Sequence, residues 1–320
     1  MNTRAGWTLW GLGLLVAVLA LLFVFFDAQW DFAYLIPHRL LRLGAMVVGG
    51  LCVALSSIVF QTLTGNRMLT PAVMGYEAVY LLWQAALLLV AGTQGLLVLG
   101  VTGSFALSAV LMLAYSWGVQ RWLLRRSGHT DVALLLLFGL VLTMVISTLT
   151  QFIQFRISPG DFALFQGLSY ATFNRVQPQT LLMAAMVLLP VCLLLRRTLP
   201  VLDVLALGRE QAISLGISHA RMLRWYLALI ALLAAVSTAL IGPLAFMGIF
   251  VANLAYALSH SHQHRVLLPL GCAIALAVFL LGQLLVEQVF NYRTSVSILV
   301  NLLCGAYFLA LLMRKRSLAV

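Results

Sequence analysis

Charge is what this chain has least of. Of 320 residues only 8% are Asp, Glu, Lys or Arg, and just eight are acidic, against roughly 25% charged residues in an ordinary soluble domain. So few ionised groups cannot wet a globule on all sides, which excludes water as the chain's main solvent. Cysteine is scarce too. Cys52, Cys192, Cys272 and Cys304 show no Cys-x-x-Cys spacing and have no His or acid beside them to complete a metal site, so they read as packing residues. No Gly-x-x-x-x-Gly-Lys-Ser/Thr loop is present to cradle a nucleotide. Neither a Ser/His/Asp set nor His-Glu-x-x-His appears, so the chain is expected to be no enzyme and to carry no cofactor or metal of its own. Energy for any work must come from another chain or from an ion gradient.

What is abundant is apolar sequence, 63% of the whole. Charge-free windows run over 5–26, 43–66, 78–120, 132–155, 176–195, 225–264, 266–286 and 294–313. A helix needs about 20 apolar residues to cross roughly 30 Å of hydrocarbon. Windows 78–120 and 225–264 therefore hold two spans each, divided near Gly92-Thr93-Gln94-Gly95 and near Gly242-Pro243, for about ten in all. Runs of this length exclude the tilted strands of about ten residues that build a membrane barrel. The fold class expected is all-α integral membrane, a single transmembrane domain over 1–320 with connections too short to hold a soluble module. Residues 5–26 end in Phe25-Phe26-Asp27 with no small-residue cleavage pattern, and read as an uncleaved first span.

The net charge is +11. The basic groups are single residues at helix ends with no basic arm between them, so membrane topology explains them and nucleic acid does not. With Arg4 cytoplasmic and an even number of spans, both termini are cytoplasmic, and all but five of the 19 basic residues fall on that side. The five left outside are Arg39, Arg42, Arg156, Arg175 and Arg293. Two loops stand out. Residues 156–177 are expected to carry a short interfacial helix with Phe162, Phe165 and Leu168 on one face. Residues 196–224 have Pro200 as a breaker, then two short helical stretches punctuated by Gly208 and Gly216, with an apolar side of Leu205, Leu207, Ile213 and Leu215. That side needs covering, either by the membrane surface or, as the glycines favour, by a soluble partner that docks on it.

The run from Arg39 to Gly75 carries Arg39, Arg42, Gly50, Ala54, Ser56, Gln61, Asn66, Pro71 and Gly75. Farther on, Leu207, Gly208, Ala212, Leu215 and Gly216 form an L-G-x-x-x-A-x-x-L-G string. Gly242, Pro243, Phe246 and Gly248 form G-P-x-x-F-x-G, and His264, Arg265, Leu268 and Pro269 form H-R-x-x-L-P. In this order and spacing the chain resembles the FecCD-type permeases of iron–siderophore and cobalamin ABC importers. It departs from the family pattern in six places: Leu41 and Arg67 stand where prolines are usual, Ser57 stands where a glycine is usual, and Ala252-Asn253-Leu254-Ala255-Tyr256 replaces Pro-His-x-x-Arg. Gln283 replaces an Asp, and Thr294-Ser295-Val296-Ser297-Ile298 replaces a Glu-Leu-Pro-Val-Gly stretch. These departures resemble the branch that serves ferric catecholate siderophores, in which two different permeases are often paired.

The resemblance implies a type II importer architecture without chemistry of its own, moving a ferric siderophore across the bacterial inner membrane by alternating access. It implies a periplasmic or lipid-anchored binding protein docking on Arg39, Arg42 and Arg293, and a cytoplasmic gate at Asn66 and Met68. It also implies two copies of a cytoplasmic ATPase coupled through Leu207, Gly208, Ala212, Leu215 and Gly216, and a second, different permease subunit. Cobalamin or haem as cargo stays open, as does a secondary transporter driven by protons through Glu77 or Glu287. Those two acids are costly near the spans unless paired, and structural pairing is the expected role of each. His260, His262 and His264 alternate in a loop and read as solvated, with no acid or thiol near to complete a metal site.

Overall fold

The computed structural model describes residues 3–26, 35–126, 132–259 and 261–317. All regular structure among them is helical. Helices α1 (Thr3–Phe25), α2 (Leu35–Thr64), α3 (Tyr76–Arg126), α4 (Val132–Gln154), α5 (Pro159–Leu168), α6 (Pro178–Leu205) and α7 (Arg209–Ser214) are followed by α8 (His219–Ile241), α9 (Met247–Ser259), α10 (His264–Leu284) and α11 (Val296–Ser317). A 3-10 turn, Pro71–Met74, precedes α3, and a π-turn, Leu285–Val289, extends α10. Among the described residues seven helices are long and apolar enough to cross a membrane. One of them, α3, has 51 residues and interrupts its helical backbone at Gly92 (φ 54°) and Gly100 (φ 64°), so it serves as two spans. With the shorter apolar helices α9 and α11, the ten spans expected from the windows are accounted for.

Lipid tails are as apolar as leucine, so spans associate by close packing rather than by hydrophobic expulsion from water. Helix α2 shows how. Its apolar window is mostly buried, packed between α8, α10, α9 and α6, and it presents Gly49, Gly50, Cys52, Ala54, Ser56 and Ser57 as small buried side chains. A Cβ at Gly248 of α9 would collide with Ser57 Oγ, and one at Gly271 of α10 with Ile58 Cδ1. By contrast α1 and α4 are largely exposed and form the rim of the bundle.

Two expectations are corrected. Pro200 does not break its helix: α6 runs through Pro190 and Pro200 to Leu205. The turn is held from outside, where the Tyr226 hydroxyl donates to Thr198 O at 2.9 Å, a cross-helix bond that offsets the one proline forgoes. The segment after it accordingly contains one short helix, α7, between Gly208 and Gly216. The interfacial helix expected in 156–177 is α5, capped by Ser158, whose Oγ accepts from Asp161 N–H. It buries Phe165 against Ala85 and Leu88 of α3, with Leu168 packed alongside.

Close packing at Gly248 gives a direct test. Gly248→Val should lower stability in detergent by about 1–3 kcal/mol, read as a fall in thermal midpoint. Gly118→Val, where an added Cβ meets nothing within 4 Å, should stay within about 0.5 kcal/mol of the parent.

Candidate gate and coupling site

Two stretches of non-helical backbone meet inside the bundle. After α2 ends at Thr64, the chain turns at Gly65, passes Asn66 and Met68, and climbs back through buried Thr70, Pro71 and Met74. The first half of α3 starts only at Tyr76. The second stretch, Gly242 to Phe246, separates α8 from α9, whose 13 residues span about 20 Å. Irregular backbone at membrane depth persists only where protein satisfies its polar groups. Here Glu77 Oε1 accepts the Leu244 N–H at 3.1 Å, and the Ile241 carbonyl accepts from Thr172 N–H at 2.8 Å. Glu77 thus has the structural pairing expected of it. Between the two breaks lies a small cavity of about 30 Å³, where Ser56, Ser57, Thr70, Glu77, Ser237 and Thr238 join a mostly apolar lining, room for about one water.

Helix directions bring the ends of α2, α6 and α9 and the starts of α8 and α10 together at one end of the bundle, the Gly216 end. Asn66 and Met68 are both exposed there, and Asn66 Oδ1 accepts from Met68 N–H at 2.9 Å, which holds the loop in a tight turn. Arg67 between them places its guanidinium 4.3 Å over the Tyr256 ring, and its carbonyl accepts from Asn253 Nδ2 at 2.8 Å. Asn253 and Tyr256 lie in the stretch that departs from the family pattern, and both meet Arg67, a second departure. A positive charge usual on α9 is here supplied by the loop.

The same end carries the segment expected to couple to an ATPase. Leu207, Ile213 and Leu215 are exposed at 56%, 51% and 61%, while Ala212 is buried and anchors α7 to the bundle. Gly208 (φ 102°) and Gly216 (φ 83°) hold left-handed backbone, and nothing crowds either one. Just before the segment, Asp203 Oδ1 accepts from the His264 N–H at 2.9 Å and from its Nδ1–H at 2.6 Å. On the far side of the ring, His264 Nε2 meets Thr62 Oγ1 at 2.8 Å, and Thr62 lies 3.5 Å from the Tyr256 hydroxyl. Asp203, an acceptor only, fixes the ring proton on Nδ1. A continuous polar chain therefore runs from the root of the coupling segment, through α10 and α2, to the residue stacked on Arg67.

That chain corrects the reading of His264 as solvated. It is 1% exposed because the first turn of α10 docks between α2 and α6. His262 is exposed, and His260 lies outside the described residues. The sequence marks the histidine by its alternating spacing and by the H-R-x-x-L-P string, but its partner stands 61 residues earlier, and no local pattern joins them.

At the opposite end, Arg39 Nη1 donates to the carbonyls of Phe23, Val24 and Phe26 at 3.0, 3.4 and 2.5 Å, closing the C-terminus of α1. Arg42 Nη1 donates to Glu287 Oε1 at 3.0 Å and to the Tyr292 hydroxyl at 3.2 Å, and Gln283 Nε2 donates to the same Glu287 oxygen at 2.7 Å. Glu287 is thereby paired with an arginine, as expected. Asn291 (φ 45°) and Tyr292 (φ 59°) adopt left-handed backbone, costly for a bulky residue, and the Arg42 contact holds Tyr292 in place. Arg293 follows, exposed. The three arginines thus lie at one end of the bundle, two of them bound to their own chain.

In the part-buried Arg42–Glu287 pair, removing the arginine strands a carboxylate that is itself buried. Arg42→Met should lower the detergent thermal midpoint, by about 1–3 kcal/mol, and Arg42→Met with Glu287→Gln should recover most of the loss.

Comparison with known proteins agrees with this architecture. A family model described as the FecCD transport family matches residues 16–314. The petrobactin import system permease protein YclO of Bacillus subtilis is 33% identical over 92% of this chain and 93% of its own length. From Bacillus anthracis, the petrobactin import system permease proteins FatC and FatD are 30% and 26% identical, over 90% and 87% of this chain and 81% and 80% of theirs. A solved structure described as an inward-facing conformation of a metal-chelate type ABC transporter superposes with a TM-score of 0.84, covering 97% of this chain and 99% of that one at 19% identity. A match over nearly the whole chain, with relatives of 30% identity and above along most of their length, means that this protein belongs to the FecCD transport family.

Proposed function

We propose that this chain is the permease subunit of an ATP-driven importer that carries ferric siderophore across the bacterial inner membrane by alternating access. The observation that carries the reading is the polar chain from Asp203 through His264 and Thr62 to Tyr256 and Arg67. It ties an exposed apolar docking segment to the loop bearing Asn66 and Met68. Both termini and the Gly216 end face the cytoplasm, where most of the basic residues then lie. Leu207, Ile213 and Leu215 pack against one of two ATPase subunits, with Gly208 and Gly216 allowing close approach. ATP-driven closure of the ATPases displaces the 203–219 segment, the displacement passes along the chain, and the gate at Asn66 and Met68 opens.

The second permease is a related but different chain, a reading supported by FatC and FatD, two permease proteins of one named system that both resemble this sequence. On the outer face Arg293, together with the donors of Arg39 and Arg42 not spent within the chain, receives acidic side chains of a siderophore-binding protein. Chemistry belongs to the ATPase; this chain converts its motion into a path.

The function is tested by uptake of radiolabelled iron, presented as a panel of ferric siderophores with haem and cobalamin as controls, in cells with and without the gene. Gene-dependent siderophore uptake should persist when the proton gradient is collapsed and ATP is maintained. Uptake abolished by the collapse, or confined to haem or cobalamin, would overturn the reading. Leu215→Glu should abolish uptake and ATPase co-purification while leaving the permease in the membrane at parental level.

The polar chain is tested with two substitutions at His264. Asn keeps a donor near Nδ1 for Asp203 and gives up Thr62; Gln does the reverse. Both should cut siderophore moved per ATP by about tenfold. Normal coupling in His264→Asn would reduce the histidine to a cap on α10.

A further inference from the structure

A groove that none of this uses opens on the rim between α1, α2, α6 and α10. Its volume is about 640 Å³. Along α10 it runs from Arg265 to Leu276, about 17 Å at the rise of a helix, close to the depth of one leaflet. Its walls are graded. Helix α10 runs inward from the Gly216 end, so Arg265 stands at the mouth with Cys272 and Leu276 deeper. Helix α6 runs the other way, so Arg196 again lies nearer the mouth than Cys192. Helices α6 and α10 thus agree in placing a cation at one end and apolar side chains at the other, α1 and α2 add only apolar lining, and Gly13 of α1 leaves the floor open. Both arginines are exposed, and neither guanidinium has a hydrogen-bond or ion-pair partner among the described residues. Two unpaired guanidiniums over an apolar slot one leaflet deep match one occupant in charge and in shape.

We propose that this groove is a binding site for an anionic phospholipid of the leaflet at the Gly216 end. The phosphate lies between Arg196 and Arg265, which offer it bidentate hydrogen bonds, and one acyl chain follows the floor past Leu268 toward Leu276. Basic pockets between spanning helices hold acidic headgroups in this way. His264 forms part of the same groove wall and belongs to the polar chain described above. A lipid seated there packs directly on that chain. The binding site itself does not depend on the transport reading.

The test is native mass spectrometry of the assembled importer, stripped of lipid in detergent and then supplied with phosphatidylglycerol or phosphatidylcholine. The parent should retain phosphatidylglycerol over phosphatidylcholine by about tenfold. Arg196→Gln with Arg265→Gln should erase the preference, and Arg197→Gln, one residue off the groove, should keep it. Gly13→Phe, which fills the floor without touching either arginine, should lower retention of both lipids. Equal retention of the two lipids by the parent, or a preference that survives the double substitution, would overturn the site. So would Gly13→Phe splitting the permease pair with lipid retention unchanged, since the groove would then be covered by protein. None of these readouts depends on uptake, so failure here and failure of the transport reading are separable.

Discussion

Everything distinctive in this bundle depends on how broken backbone is kept satisfied where no water is at hand. A continuous helix closes its own hydrogen bonds and can sit in lipid anywhere. A helix that stops part-way cannot, and among the described residues the chain stops in this way before Tyr76 and after Ile241. Glu77 meets the Leu244 amide and Thr172 meets the Ile241 carbonyl. These bonds let the two breaks face each other across a small space, with α2 behind them. Ser57 and Gly248 are small because the breaks must approach closely. The same constraint explains where acids are tolerated: Glu77 is held by backbone and Glu287 by Arg42 and Gln283, so neither carboxylate is left alone.

The architecture was largely legible in the sequence because a bilayer writes its thickness into the spacing of charges. Residues such as Asp131 and Arg156, or Arg265 and Glu287, bracket apolar runs whose lengths match the spans, and Gly92 and Gly242 mark real departures from helical backbone. Depth was not legible. The sequence shows that the chain breaks near Pro71 and Pro243, but whether a break lies at a surface or inside depends on contacts such as Gly139 against the backbone of Val73 and Met74, which have no local signature. Pro200 misled for a related reason: the residue that steadies its turn, Tyr226, lies on another helix.

The site was readable in a different proportion. The glycine and leucine string over 207–216 and the polar loop at Asn66 have the composition of a partner surface and a turn, and both are exposed together at one end. What joins them was invisible. Asp203, His264 and Thr62 come from three helices far apart in sequence, each residue ordinary in its own neighbourhood. Arg39 and Arg42 drew attention as exceptions to the charge rule, and much of the reason is now local, since one closes α1 and the other neutralises Glu287.

On the gate proposed at Asn66 and Met68, Arg67 has a consequence for the energetics of release. Because the cation sits on a loop rather than on a helix, any opening that displaces this loop carries a whole unit of charge with it. An acidic cargo leaving past Arg67 lowers the free energy of whichever loop position keeps the two close, while a neutral one does not. The rate of the final step is then set partly by the cargo's own charge and by the salt on the side it enters, so that the passenger helps to decide how long the door stays open.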